Sequence, residues 1–380
     1  MDKRKFLKLS SLSALGLLHT NQLLSSSDPN MLKSSGVKKG TMKNWVWITP
    51  DTKASADDWK KRFAMMKEAG IDAILPEVYT GSGAYFESSR LPVRDAWLER
   101  LIPIARAMDL EIHTWMWTMP CLIPEIVEKH PKWYNVNRKG ESSSTKPAYV
   151  NYYKFLCPSR EPVHEFIKGT VKELSQYDVD GVHFDYVRHP DVILAEALQP
   201  KYNIVQDKEY PEYDYCYCEN CRSLYKAQHG EDPLKMDDPS KSETWRQFRY
   251  DLISNLVNNK LIPEAKKQNK MVSAAVFPNW QNVRQEWHTW KLDAALPMLY
   301  HNFYNEDINW IKEQCAIGTK SLKYDTKLYS GLFVPQLSPG ELSKAVKASM
   351  QGGASGISLF AFGSMKEAHW KALKTSIKKY

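Results

Sequence analysis

The 380-residue sequence lacks several signatures that settle a protein's class at once. It has no Gly-x-Gly-x-x-Gly run and no Walker-type loop, so no strand–helix turn is built to cradle a nucleotide phosphate. Its apolar runs are too short to cross a bilayer as a helix, which needs ~20 residues. Its excess of positive charge is mostly local. The formal net charge is +8, but residues 1–40 hold seven Lys or Arg against Asp2 and Asp28, leaving about +3 for the rest. No later Lys/Arg cluster interleaves with aromatics, which argues against nucleic acid as a partner.

What the N-terminus does contain reads as an export signal. Asp2-Lys-Arg-Lys-Phe-Leu-Lys8 resembles a twin-arginine box with Lys3 at the first arginine position, followed by a short Ser-rich apolar run from Leu9 to Leu18. That pattern predicts a signal peptide over 1–25, with the general secretory route as the alternative to twin-arginine export. No cysteine follows the run to anchor a lipid. Residues 26–40 are polar and Ser/Lys-rich, which predicts a disordered leader. The folded part is then expected over 41–380, in a periplasmic or extracellular protein with no membrane span.

From Asn44 onward, strand-like and helix-like stretches alternate. Strands are expected at Asn44–Thr49, Ile71–Tyr79, Glu111–Thr118, from Val179 to the charged cluster at Arg188, and at Met271–Phe277, Asp293–Tyr300, Lys327–Val334 and Ser355–Phe362. Helical spacing fills Ala56–Ala69, Ala96–Met108, Glu161–Tyr177, Thr244–Lys267, Asp307–Ala316 and Pro339–Met350. In Ala56–Ala69, for instance, Trp59, Phe63 and Met66 share one face and Gly70 stops the helix. Alternating β and α predicts a parallel sheet. Eight such units predict a closed (β/α)8 TIM barrel with a Cys-containing insertion between strands four and five.

In such a barrel the residues ending each strand meet at one mouth. Period-two alternation puts His183 and Asp185 on one face of strand four, followed at once by Arg188 and Asp191. Strand one contributes Trp47, strand two Glu77, and strand three His113, Trp115 and Trp117. Asn279 follows strand five, Tyr300 and His301 end strand six, and Gln336 ends strand seven. A mouth of carboxylates, amides and aromatics suits a polyhydroxylated ligand: polar groups bind hydroxyls while rings stack on C–H faces. The chain has 13 Trp and 20 Tyr to supply such rings. A pair of carboxyl groups there would suit glycosidic cleavage. Asp185 is the first, and Glu77 and Glu286 compete to be the second. Glu286 lies among Trp280, Trp287 and Trp290, apolar crowding of the kind that keeps an acid protonated. Two other readings use the same residues. One is a non-catalytic carbohydrate-binding barrel. The other is a metal-dependent hydrolase or esterase with His113, His183, His301 and Asp185 as ligands.

Of six cysteines, three fall in Tyr215-Cys-Tyr-Cys-Glu-Asn-Cys221. Cys216, Cys218 and Cys221 are dense enough for a structural zinc clip, with His229, His189 or Asp191 as a possible fourth ligand. The competing reading is a disulfide, such as Cys218–Cys221 or one of the three with Cys157. No cofactor is expected in catalysis.

The run Asp180-Gly-Val-His-Phe-Asp-Tyr-Val-Arg-His-Pro190 resembles the signature of the family-10-like glycosyl hydrolases. His113-Thr-Trp-Met-Trp117, Arg284-Gln-Glu-Trp287, Leu296-Pro-Met-Leu-Tyr300 and Gly356-Ile-Ser-Leu-Phe-Ala-Phe-Gly363 are similar to that family in the same order. The resemblance implies an exported (β/α)8 glycosidase with a carbohydrate substrate. It implies Asp185 as a catalytic carboxylate and favours Glu286, where Asp is commoner, over Glu77 as its acid partner; Glu77 is then expected as a substrate-positioning or secondary carboxylate. It also implies a structural role for the Cys-rich insertion.

Overall fold

The structure, a computed structural model, describes residues 42–380; the signal and leader expected over 1–40 lie outside them. Nine strand segments form one wholly parallel sheet. They are β1 Trp45–Ile48, β2 Ala73–Tyr79, β3 Glu111–Trp117, β4 Gly181–Asp185, β5 Met271–Val276, β6 Ala294–Pro297, β7 Lys327–Leu328, β8 Ser330–Phe333 and β9 Ile357–Phe360. The order runs β7-β6-β5-β4-β3-β2-β1-β9-β8. β7 and β8 are one chain path interrupted at Tyr329, whose N–H still donates to Ala295 at 2.9 Å. Gly331 bridges in parallel to Met298 beyond β6, so the ring is a (β/α)8 barrel of eight staves.

The alternation of side chains divides the core in two. Inward positions pack Trp45, Trp47, Ala73, Leu75, Trp115, Ala275, Leu296 and Tyr329 down the barrel axis. Outward positions such as Val46, Ile74, Ile112, Val182 and Phe184 join the larger cluster under the helices. Helix α1 (Ala56–Glu68) buries the expected Trp59, Phe63 and Met66, each fully buried apolar side chain being worth ~1.5–3 kcal/mol over an exposed one. Its start is fixed by a capping box between Ser55 and Asp58.

The remaining helices are α2 (Trp97–Ala107), α3 (Pro124–Lys129), α4 (Glu161–Ser175), α5 (Glu219–His229), α6 (Glu243–Leu256), α7 (Ile262–Lys266), α8 (Ile308–Ser321), α9 (Pro339–Gln351) and α10 (Glu367–Ile377). A π-turn over Val257–Leu261 joins α6 to α7. Among the described residues, no helix is long and apolar enough to cross a membrane.

Candidate active site

The mouth is organised around β3. Its inward Trp115 and Trp117 are flanked by Glu77 of β2 and Asp185 of β4, with Trp115 beside Glu77 and Trp117 beside Asp185 in register. The hydrogen bonds cross this register. Trp117 Nε1 donates to Glu77 Oε1 at 2.8 Å, and Trp115 Nε1 donates to Asp185 Oδ2 at 3.0 Å. Both carboxyl groups are thereby aimed over the same strand. Tyr186 adopts a left-handed backbone (φ 51°), which returns its N–H to Asp185 Oδ1 at 2.7 Å. A bulky residue in that region is strained, a feature that clusters at functional sites.

The electrostatics follow from what surrounds each carboxyl. Burial pushes Glu77, only 8% exposed, up to about 7. The Trp117 indole pulls the other way, and the Asp185 charge adds to the rise. Burial also lifts Asp185 to about 6, against the Tyr186 N–H, the Arg188 charge and the Trp115 indole. Arg188 is largely spent elsewhere: it lies 2.9 Å from Asp191 Oδ2 and donates to the Tyr153 hydroxyl at 3.2 Å. Near neutral pH the site therefore holds one carboxyl close to half-protonated and a second that is mostly ionised.

Both groups line a cavity of about 450 Å³. Of the residues expected at the mouth, Trp47, Glu77, Trp115, Trp117, Asp185, Arg188, Asp191 and Tyr300 line it. Six others do not. Glu286 is the chief correction: it does not line the cavity that Asp185 and Glu77 share, and its carboxylate lies 3.4 Å from the Gln247 amide of α6. The chain turns through Trp280–Val283 into a left-handed Arg284 (φ 54°). This brings Gln285 inward, where its amide donates to Val187 and Ala275, and leaves Glu286 outward.

His113 faces the axis at the wrong height, near the start of β3, with Nε2 3.1 Å from Glu111. His183 is buried below the mouth, with Nδ1 2.8 Å from Ser273 Oγ. His301 opens a half-exposed turn and Gln336 is exposed. Asn279 borders a neighbouring pocket. The histidines therefore do not gather with Asp185, and among the described residues the only grouping of potential metal ligands is elsewhere.

Sequence reasoning missed much of the cavity's aromatic wall. Tyr152, Tyr153 and Tyr186 come from the β3–β4 connection and the end of β4, and Leu194, Leu198 and Tyr202 from the insertion after β4. The Trp117 ring lies 4.8 Å from Tyr186 and 5.6 Å from Tyr152. The run Tyr149-Val-Asn-Tyr-Tyr153 was a visible signal, but its irregular segment offers no period from which to infer direction.

The metal-type grouping is Cys157, Cys216, Cys218 and Cys221, all buried, with sulfurs within 4.8 Å of one another. Cys157 Sγ lies 3.5 Å from Cys216, 3.6 Å from Cys218 and 3.4 Å from Cys221. A tetrahedral zinc with ~2.3 Å bonds to sulfur sets neighbouring sulfurs about 3.8 Å apart, so the four thiols fit such an ion. The fourth group beside the triplet is thus Cys157, not the expected His229, His189 or Asp191. His229 stacks on Tyr225 at 4.3 Å, and Asp191 is held by Arg188.

No sequence-family model matches the chain, and no curated protein matches it in sequence. Its fold is shared with solved structures. Similarity to the catalytic domain of β-amylase from Paenibacillus polymyxa has a TM-score of 0.64 at 10% identity, over 89% of this chain and 98% of that one. For the β-galactosidase of the psychrophilic Marinomonas ef1 the TM-score is 0.62 at 12% identity, over 89% of this chain and 59% of that one. For α-L-fucosidase isoenzyme 2 of Paenibacillus thiaminolyticus it is 0.55 at 14% identity, over 88% and 49%. The chain thus spans about half to three fifths of the latter two. At these identities the likeness establishes the barrel.

Proposed function

We propose that this protein is a glycoside hydrolase acting on an oligo- or polysaccharide, with Glu77 as general acid and Asp185 as its partner carboxylate. One observation carries the reading: two carboxyl groups, both raised by burial, share an aromatic-walled cavity at the C-terminal ends of β2 and β4. Keeping them there costs stability on the order of 3 kcal/mol each at neutral pH, from their rise above ordinary values. A purely sugar-binding barrel gains nothing from that cost, whereas two carboxyls of unequal pKa are what acid-assisted glycosidic cleavage requires.

In this reading Glu77 gives its proton to the glycosidic oxygen as the C–O bond breaks. Asp185 either attacks the anomeric carbon or takes a proton from the attacking water. The rings of Trp117 and Tyr152 offer faces for the sugar. Further support comes from the glycosidase names of the solved structures that share the fold, and from the strand-four resemblance to family-10-like glycosyl hydrolases. The acid partner moves from Glu286 to Glu77. Zinc at Cys157, Cys216, Cys218 and Cys221 would be structural, fastening the β3–β4 connection to the insertion after β4. Export to the periplasm or beyond is part of the proposal, supported by the box at residues 2–8.

The test is product analysis against bacterial and plant-derived oligosaccharides. Turnover of at least one is expected to fall about a hundredfold or more in Asp185→Asn with the fold intact. Near-wild-type turnover in that variant would remove Asp185 from the reaction.

A further inference from the structure

Beside the main cavity lies a second pocket of about 240 Å³. Leu194, Ala195 and Tyr304 belong to the walls of both. The lip between them is pinned: Leu194 N–H donates to Gln206 Oε1 at 2.7 Å, and Gln199 Nε2 donates to Leu194 O at 2.9 Å. Those two glutamines are therefore committed to the wall. Asn279, Asn282, Glu196 and Glu306 also border the pocket, and their side chains have no hydrogen-bond partner among the described residues. Trp310 completes it, its ring 5.0 Å from that of Tyr304.

We infer that this pocket is a distal sugar-binding subsite, so that the substrate chain extends from the catalytic cavity over the Leu194–Ala195 lip. The inference rests on the glycosidase reading and deepens it. Free amide and carboxylate groups around an aromatic ring are the complement of a pyranose: hydroxyls meet the polar groups and a C–H face meets the ring. The chemistry also selects the sugar. The pocket is bordered by Glu196 and Glu306 and by no Lys, Arg or His. A uronic acid would sit there without a counter-charge, so the subsite takes a neutral or amine-bearing sugar.

The experiment compares kcat/KM for an aryl monoglycoside with that for the homologous series from disaccharide to hexasaccharide, in wild type and in Asn282→Ala, Trp310→Ala and Trp310→Phe. The ratio of long-chain to monoglycoside kcat/KM is expected to fall about tenfold in Trp310→Ala, less in Asn282→Ala, and to be largely restored by Trp310→Phe. A ratio that stays at the wild-type value in both alanine variants overturns the subsite. If wild type hydrolyses nothing in the panel, the function fails separately, and binding is read instead by tryptophan fluorescence with the same oligosaccharides. Affinity that grows with chain length in wild type and not in Trp310→Ala sustains the subsite; affinity independent of length in wild type overturns it.

Discussion

The two ends of β3 hold carboxylates in opposite electrostatic states. At the lower end Glu111 receives Lys43 Nζ at 2.6 and 2.7 Å and has His113 Nε2 at 3.1 Å. Burial raises its pKa, but His113 and Lys43 outweigh burial and hold it down at about 2. At the upper end Glu77 and Asp185 meet indole N–H groups in place of a dedicated cation, and burial wins. An indole dipole orients a carboxyl without fully stabilising its charge. The lower arrangement ties strand ends together; the upper one keeps a proton available near neutral pH.

The most severe way to break this contrast is to replace Glu77, the proposed acid. Glu77→Gln should lower kcat on unactivated oligosaccharides by about 10²–10³, with a much smaller loss on aryl glycosides whose leaving group needs no proton. Glu286→Gln should stay within about twofold on both. If the leaving-group dependence appears in the second variant and not the first, the acid has been misassigned.

A pH series sharpens the same point. kcat/KM should rise through about 6 as Asp185 ionises and fall beyond about 7 as Glu77 loses its proton, and the alkaline limb should vanish in Glu77→Gln. Stability runs in a definite direction. Both folded-state values lie above those of ordinary carboxyls, so the native state binds more protons and loses stability as pH rises through the window up to about 7. Glu77→Gln should therefore melt higher than wild type at pH 8 while being less active. A lower Tm there would mean that the Glu77 charge supports the fold.

Much of this was legible in the sequence, and the failures share a cause. Period-two alternation correctly turned Trp115, Trp117, Glu77 and Asp185 inward, because in a buried strand the face is fixed by parity. Parity gives a face and not a height, which is why His113 was expected at the mouth and lies near the bottom. Glu286 and Asn279 sit in turns, where one left-handed residue such as Arg284 redirects everything after it. Cys157 lies 59 residues from Cys216, so no local spacing rule marks it as a fourth ligand; the sequence offered it only as a disulfide partner, and all four thiols are free. Helix α10 was overlooked, although Trp370, Leu373 and Ile377 carry helical spacing.

The cysteine cluster offers a smaller, purely structural effect. Purified protein should contain about one zinc per chain, and Cys157→Ser should lose it, because three thiolates leave the tetrahedron open. The expected result is a fall in Tm of several degrees and a rise in KM, since the cluster joins the connection bearing Tyr152 to the insertion bearing Tyr202. Elemental analysis and melting curves check both. Full metal retention in Cys157→Ser would exclude Cys157 as the fourth ligand.

The smallest expected effect tests the lower end of β3. Glu111→Gln keeps the shape and removes the charge that Lys43 and His113 face. Because the folded-state value is depressed, from an ordinary 4.5 to about 2, the stabilisation is present above the ordinary value and lost as pH falls through the depressed one. Glu111 is 34% exposed, so solvent screening reduces the contribution to about 1 kcal/mol. At pH 7 the variant should melt a few degrees below wild type, and the gap should close as pH falls toward 2. Its kcat should remain within about twofold, since Glu111 does not line the cavity. A loss of kcat comparable to that of Glu77→Gln would show that the lower end is coupled to the upper, with His113 and His183 between them, and would end the separation on which the contrast rests.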